Sequence, residues 1–342
     1  MRLLIQTTRR LLVGAACCYC VVLMVLATLW ALDPRAAWWV ELSAMIAPLL
    51  FVPLLLLLPL ALAVRSWPLR GAALLTLVLF LALFGGRFLP AARATPEGRP
   101  LRVMTFNHLF SNGRAADVLA AIRAQDADVV ALQELSKPVA AAIQASLRDI
   151  YPYQYLRPFE NQQGLGIISR QPFISADEVQ NNVRGQQVTL SIDGQTLTIM
   201  NIHLGGPVID TRHIAGIPLV VGYDPQSTDR QVGRLASLTD AIDGPLIVMG
   251  DFNTSDREPR YSVLAARMHD AFRETSWGFG FTFPDHKRFG PITVPFPLLR
   301  IDYVWSKNGV LPAAAHVECN NTGADHCFLV ADLRLAAANG RG

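Results

Sequence analysis

Short segments from residue 101 onward set carboxylate, amide and imidazole groups directly after apolar, β-forming runs. Asp251 and Asn253 follow Leu246–Met249 and Gly250. Alternate residues of an extended segment face one side, so both can address a single ligand. A carboxylate there positions water or a cation, and an amide donates to a phosphate oxygen. The same pair also serves an Asx turn. Glu134 closes the run Val129–Leu132, either as a solvated strand end or as a hard oxygen ligand of the kind Mg²⁺ takes. Asn107 sits at the equivalent end of Leu101–Phe106. His203 follows Thr198–Ile202, and His326 lies between Asp325 and the run Cys327–Val330. Either histidine alone reads as a satisfied surface residue; two beside carboxylates suit acid–base chemistry near neutral pH. Asp302 is placed to accept the second ring proton of His326, or to cap a turn as a buried acid.

The elements that must position these groups alternate between strands and helices. Strands are expected at Leu101–Phe106, Asp128–Leu132, Gly164–Ser169, Gln186–Ile192, Gln195–Ile202, Leu246–Met249, Ile301–Trp305 and Phe328–Leu335. Helices are expected at Ala115–Ala124, Pro138–Asp149, Asp229–Ile242 and Tyr261–Ala266. Asp193-Gly194 is a two-residue hairpin signal. The pattern predicts a mixed α/β domain with helices covering sheets. Gly205–Pro225 reads as a long loop rich in Ile, Val, Gly and Pro, and Trp277–Pro297 as an aromatic-rich one. The aromatics of the latter either pack in the core or contact lipid or an apolar substrate.

Taken in order, Thr105-Phe106-Asn107, Leu132-Gln133-Glu134, Asn201-Ile202-His203-Leu204, Gly250-Asp251-Phe252-Asn253, Arg300-Ile301-Asp302-Tyr303 and Asp325-His326 resemble the endonuclease/exonuclease/phosphatase family. That family spans DNase I-like nucleases, abasic-site endonucleases, inositol polyphosphate 5-phosphatases and sphingomyelinases, and the likeness covers about residues 100–336. The resemblance implies a DNase I-like four-layer α/β (α+β) sandwich. It implies that Glu134 and Asn107 hold Mg²⁺ or Mn²⁺, with Asp325 reaching the metal through water. Asp251 would align or activate the attacking water, Asn253 and His203 would bind phosphoryl oxygens, and His326, oriented by Asp302, would act as acid or base. Leu109 stands where abasic endonucleases carry an acid, and the His203 motif is of the DNase I and sphingomyelinase type. Repair of abasic DNA is therefore not expected.

Composition adds a second region. Hydrophobic residues make up 51% of the 342 residues and charged residues 17%, too apolar for an ordinary soluble chain. The excess lies in residues 1–94, which are predicted to hold three all-α membrane spans at about 11–32, 42–64 and 67–86. Pro48, Pro53 and Pro59 in the second are tolerable in a membrane. A cleaved signal peptide for the first run, or buried soluble helices for the others, are the competing readings. Residues 95–100 read as a linker and 101–342 as the catalytic domain. Arg2, Arg9 and Arg10 before the first span, with Arg65 and Arg70 between the second and third, place the N-terminus in the cytoplasm. Three spans then put the domain in the periplasm or outside a bacterial-type plasma membrane. Cys319 and Cys327 would there either pair around Asp325-His326 or stay as free thiols.

From Leu101 onward 21 Lys and Arg face 24 Asp and Glu, a net of −3. A nucleic-acid binder carries a basic face, so nucleic acid is possible as a substrate but not favoured. The expected partners are the bilayer and a phosphate-ester substrate, with no protein partner inferred. The expected function is a membrane-anchored, metal-dependent phosphoesterase acting on a lipid head group or a small phosphate ester. An extracytoplasmic DNase I-type nuclease and a non-catalytic binding module on a membrane anchor are the alternatives.

Overall fold

The computed structural model describes residues 2–89, 96–214, 217–290, 292–320 and 322–337. The chain divides into two compact units: Met1–Leu89 with Ile209–Tyr223, and Pro90–Val208 with Asp224–Gly342.

The first unit holds helices α1 (Arg2–Leu32), α2 (Trp38–Met45), α3 (Leu54–Ala63) and α4 (Trp67–Phe84). Gln6–Leu32 and Trp67–Phe88 are each long and apolar enough to cross a membrane. The second expected span is not one straight helix. It breaks after α2, continues as a 3-10 turn Ala47–Phe51 into α3, and bends by 80°. Proline cannot donate its backbone nitrogen and its ring crowds the preceding turn, and Pro48 and Pro53 lie at this break. Among the described residues the unit therefore has two helices that could cross a membrane, or three if the bent pair is one span. Small residues Ala16, Cys20, Ala61, Ala72 and Ala73 cluster with Leu57 and Leu69 where the helices meet, allowing close backbone approach.

The second unit opens with β1 (Arg99–Asn107), α5 (Ala115–Gln125), β2 (Val129–Gln133), α6 (Lys137–Ser146), β3 (Tyr153–Arg157), β4 (Leu165–Ser169) and β5 (Phe173–Glu178). Next come β6 (Gly185–Ile192), β7 (Gln195–His203), a ribbon of β8 (Val208–Ile214) and β9 (Ile217–Asp224), and α7 (Gln226–Asp240). The rest is β10 (Leu246–Asp251), α8 (Pro259–Ala265), β11 (His269–Asp270), α9 (Ala271–Thr275), β12 (Lys287–Phe289), β13 (Ile292–Val294), β14 (Asp302–Lys307), β15 (Val310–Glu318) and β16 (Phe328–Leu335). The first strand thus begins inside the stretch read as linker, and Thr95 lies outside the described residues. Most of the segment read as a loop at 205–225 is the β8–β9 ribbon, which groups with the helices of the first unit and not with the domain around it.

Two six-stranded mixed sheets result, ordered β15-β16-β1-β2-β4-β3 and β11-β14-β10-β7-β6-β5. Each has one parallel pair at its centre, β1 with β2 and β7 with β10. The apolar runs of these strands are buried on both faces, as central strands require. In β1, Leu101 and Val103 face the core between the sheets while Met104 and Phe106 face α5 and α6. In β10, Ile247 and Met249 face that same inner core while Leu246 and Val248 face α7 and α8. The layers are helix, sheet, sheet, helix: the DNase I-like sandwich. At the β6–β7 hairpin, Asp193 and Gly194 take positive φ of 51° and 82°, the backbone that a tight two-residue turn demands.

Candidate active site

The central strands end together. Asn107 pairs in register with Gln133 at the end of β1 and β2, and Asp251 pairs with His203 at the end of β10 and β7. Asp302, the first residue of β14, pairs with Asp251 from the other side. His203, Asp251 and Asp302 therefore stand side by side on three adjacent strands, and cross-strand partners face the same way. Gly250 makes the close approach possible: a Cβ there would lie 1.8 Å from the Ile202 carbonyl oxygen. The chain leaves the strands through left-handed backbone at Glu134 (φ 57°) and Asn253 (φ 49°). Asparagine tolerates that conformation; for glutamate it is strain of order 1 kcal/mol, of the kind that collects at functional positions.

The side chains form one connected set. Asn107 Nδ2 donates to Asp251 Oδ2 at 3.1 Å and to Glu134 Oε1 at 3.3 Å. Glu134 Oε2 accepts the Phe110 backbone N–H at 3.1 Å. Asp251 Oδ1 accepts the Asn253 N–H at 2.8 Å, and the Asn253 amide also reaches the Leu204 carbonyl at 2.9 Å. His203 Nε2 lies 3.5 Å and His326 Nε2 3.9 Å from Asp251 Oδ2. His326 Nδ1 meets Asp302 Oδ2 at 2.9 Å. Asp302 is itself held by Thr282, whose hydroxyl accepts the Ile301 and Asp302 N–H groups. Seven of the eight residues singled out from the sequence thus touch one another directly. The eighth, Asp325, pairs through Oδ2 with Lys287 at 2.7 Å.

Burial and neighbouring charge divide the proton affinities. Burial lowers that of His326, but the charge and hydrogen bond of Asp302, then Asp251 and Asp325, carry it up to about 9. His203 goes the other way, well below 6.5, through burial, Arg184 and His326. Asp251 is raised to about 7 by burial and then by Asp302. Near neutral pH the site holds an imidazolium, a neutral imidazole and a carboxylate at its titration midpoint, the kind of separation that assigns acid and base.

The oxygen donors suit a hard divalent cation. Glu134, Asn107 and Asp251 offer carboxylate and amide oxygens, the set that Mg²⁺ and Mn²⁺ take. Asp251, Asp302 and His326 also have ligand atoms within 4.8 Å of one another; with Nδ1 held by Asp302, that ring could ligate only through Nε2 in its neutral form. Oδ1 of Asp302 and Oδ1 of Asp325 are buried without a hydrogen-bond partner among the described residues. This concentration of buried negative charge is what a cation would neutralise. A second triad, Asp285 with Cys319 and Cys327, offers no thiolate, because the cysteines form a disulfide that spans Asp325-His326.

Three further groups belong to the site. Arg184 Nε donates to the His203 carbonyl at 2.6 Å, and Asp251 and Glu134 oppose the lowering of its proton affinity by burial. It lines a cavity of about 310 Å³ with Arg157, Phe159, Gln163 and Gln186. The Phe283 ring packs on His326 at 4.8 Å between centroids, and Lys287 Nζ lies 4.6 Å from the Phe283 ring centre. Arg184 precedes a strand with no local motif to mark it. Lys287 sits in the aromatic stretch whose sequence pointed only to packing or lipid contact.

The model of the endonuclease/exonuclease/phosphatase family matches residues 104–326. The chain belongs to that family. Its members, among them phosphodiesterases, nucleases and phosphatases, are generally hydrolases of phosphate esters. Curated protein sequences give no match. Among solved structures, TDP2 of D. rerio, complexed with a single-strand DNA product, is 16% identical with a TM-score of 0.54, over 68% of this chain and 98% of that one. A family protein from Bacteroides vulgatus is 18% identical with a TM-score of 0.53, over 69% of this chain and 99% of its own. One from Bacteroides thetaiotaomicron is 14% identical with a TM-score of 0.51, over 70% and 98%. At these identities the family members share the fold.

Proposed function

We propose that this chain is a membrane-anchored, divalent-cation-dependent phosphoesterase that cleaves a phosphodiester or phosphomonoester of a lipid head group or a small phosphate ester. The observation that carries the reading is the run of contacts from Glu134 through Asn107 and Asp251 to His203, and through His326 to Asp302. Asn253 and neutral His203 bind phosphoryl oxygens. Asp251, at its midpoint near neutral pH, takes a proton from the attacking water. His326 stays cationic against Asp302 and stabilises charge on the phosphoryl group or protonates the leaving oxygen. Glu134 and Asn107 would hold Mg²⁺ or Mn²⁺, which supplies charge neutralisation at the phosphoryl oxygens.

The location follows from parity. The Cys319–Cys327 disulfide belongs in an oxidising compartment. Arg2, Arg9 and Arg10 favour a cytoplasmic N-terminus. Both hold only if the chain crosses an odd number of times, so the bent pair counts as one span and the domain faces the periplasm or exterior. A DNase I-type nuclease remains the second reading, since a single-strand DNA product sits on TDP2; the −3 charge of the domain weighs against it.

The test is hydrolysis by the full chain in detergent with Mg²⁺, Mn²⁺ or EDTA. The panel is plasmid DNA, an aryl phosphodiester, sphingomyelin and phosphoinositides, with His326→Ala as control. Cation-dependent cleavage lost in the variant supports the reading. Cleavage of DNA alone replaces it with the nuclease. Cation binding without turnover of any substrate supports the binding module instead.

A further inference from the structure

The edge that carries the chemistry continues sideways into the cavity beside Arg184. Arg157, the last residue of β3, pairs in register with Leu165, the first of β4, and Leu165 pairs with Gln133 at the end of β2. On the other sheet Glu178, the last residue of β5, pairs with Gln186, and Gly185, the first of β6, pairs with Ile202 next to His203. These strand ends enclose about 310 Å³, the low end of the range for small-molecule pockets and too little for a nucleic-acid duplex. The walls are fixed to the site itself. Leu135, next to Glu134, accepts the Phe159 N–H at 3.0 Å and donates its own N–H to the Gly164 carbonyl at 2.9 Å, so the loop that carries Phe159 and Gln163 is held at both ends. Arg184 brackets His203: its carbonyl accepts the His203 N–H at 3.0 Å, and its Nε donates to the His203 carbonyl at 2.6 Å.

Two arginines and one acid line this cavity. The acid, Glu178, is engaged by Arg157 at 2.7 Å. Their side chains are 48% and 61% exposed, so the pair contributes little and a competing anion can draw Arg157 away. Arg184 is different. It is half-buried, and among the described residues it hydrogen-bonds only to the backbone carbonyls of His203 and Leu204. Burial works against its charge, and no carboxylate makes a hydrogen bond to it. A partly buried cation without a bonded counter-ion is costly unless a ligand supplies one. Gln163 adds an exposed amide at the rim, and buried Leu165, Val179 and Val183 form an apolar floor. The combination suits an anion carried on a short organic link. A terminal phosphate has three oxygens to meet two guanidinium forks at once, where a carboxylate fills one.

We propose that this cavity is a subsite for a second phosphate group on the substrate, held by Arg184 and Arg157 while the scissile phosphate sits at His203, Asp251 and Asn253. This rests on the phosphoesterase reading and narrows its substrate to a small ester or head group bearing two phosphates. Arg184 then links the two places, because the guanidinium that meets the second phosphate also holds the backbone of His203.

The experiment uses the full chain in detergent with excess Mg²⁺. Glycerophosphoglycerol is compared with the same diester carrying a phosphate on its terminal hydroxyl, so the scissile bond is unchanged. Wild type should favour the phosphorylated diester in kcat/KM by roughly tenfold or more. Gln163→Glu sets a negative charge at the rim, and Arg184→Met removes the central guanidinium; each should bring the two substrates to within about twofold of one another. Because Arg184 also holds His203, its variant is read by that ratio and not by its absolute rate. A wild type without the preference, or a preference that survives both substitutions, overturns the subsite. In the binding arm, calorimetry sets short α,ω-alkane bisphosphonates, whose C–P bonds resist hydrolysis, against the matching monophosphonates. Tighter binding of a bisphosphonate by wild type, lost in Gln163→Glu, supports the subsite; equal affinity for the two kinds overturns it. A wild type that prefers the bisphosphonate but hydrolyses no phosphate ester refutes the phosphoesterase reading alone and leaves the cavity an anion site.

Discussion

Asp302→Asn removes one charge beside His326 and keeps the side-chain shape. The two groups meet at 2.9 Å in a fully buried place. Burial alone depresses the proton affinity of His326, and Asp302 is the first of the groups that reverse this, reaching about 9 against an ordinary 6.5. That difference is worth on the order of 3 kcal/mol in favour of the imidazolium. The folded value lies above the unfolded one. The stabilisation is therefore complete below about 6.5 and is lost as pH rises through about 9. The variant should be less stable than wild type by on the order of 3 kcal/mol at pH 6, with the two converging above pH 9.

Catalysis should follow the same proton. If the imidazolium is the working form, kcat/KM of wild type falls on the alkaline side with a midpoint near 9, and in Asp302→Asn that midpoint moves down to 6.5 or below. At pH 8 the variant should then lose roughly thirtyfold or more in kcat/KM for an aryl phosphodiester. Thermal unfolding in detergent at pH 6 and pH 9.5, with pH–rate profiles of both proteins, reads both effects. An unmoved alkaline limb together with a stability gap that does not change with pH would refute the charge-pairing account and leave Asp302 a packing residue.

Gly250→Ala places a Cβ 1.8 Å from the Ile202 carbonyl carbon's oxygen at a φ of +146°, so roughly 3 kcal/mol or more of stability should go; unfolding at the wild-type temperature would contradict the close β7–β10 approach. Burial and Asp302 raise Asp251 to about 7, so the cation-free protein should lose stability as pH rises through that value. Mg²⁺ should narrow this loss and release about one proton on binding near pH 6, and calorimetry in buffers of different ionisation enthalpy counts it; no proton release would place the ion away from Asp251. Cys327→Ser opens the loop across a sequence separation of 8 and should cost about 2.5 kcal/mol, seen as a lower unfolding temperature that reductant reproduces in wild type; a wild type indifferent to reductant would show that the bridge is absent.

The central strands were legible because their apolar runs end abruptly in polar groups: Val129–Leu132 before Gln133-Glu134, and Leu246–Met249 before Gly250-Asp251. Peripheral strands were not. In β5 and β15 one face is solvated and the pattern is diluted, and in β8 and β9 the described aliphatic residues Val208, Ile209, Leu219, Val220 and Val221 are exposed. Lys287 and Arg184 join the site through tertiary contacts 38 and 19 residues distant in sequence, to Asp325 and His203. No spacing rule reaches that far. The second span read as continuous because leucine favours helix regardless of direction, and hydropathy carries no information on the 80° bend at its prolines.

The placement of a parallel pair at the centre of each sheet explains why the chemistry collects at one edge. β1 and β2, and β7 and β10, deliver their C-terminal ends there with Asn107, Glu134, His203 and Asp251. β14 and β16 run antiparallel to them, so their starts arrive at the same edge with Asp302 and, two residues before β16, His326. Because strand side chains alternate, a slip of one residue at β10–β14 would turn Asp302 to the opposite face and strip His326 of its partner. The sheets carry a lock against relative sliding. Gln133 Nε2 donates to Asn201 Oδ1 at 2.7 Å, and the Asn201 amide donates to the Leu132 and Gly166 carbonyls of the facing sheet. A buried amide cluster is costly unless every member is paired. This pairing fits the alignment that brings Asp251 to Asn107, so these buried amides favour the geometry that the proposed catalytic groups need.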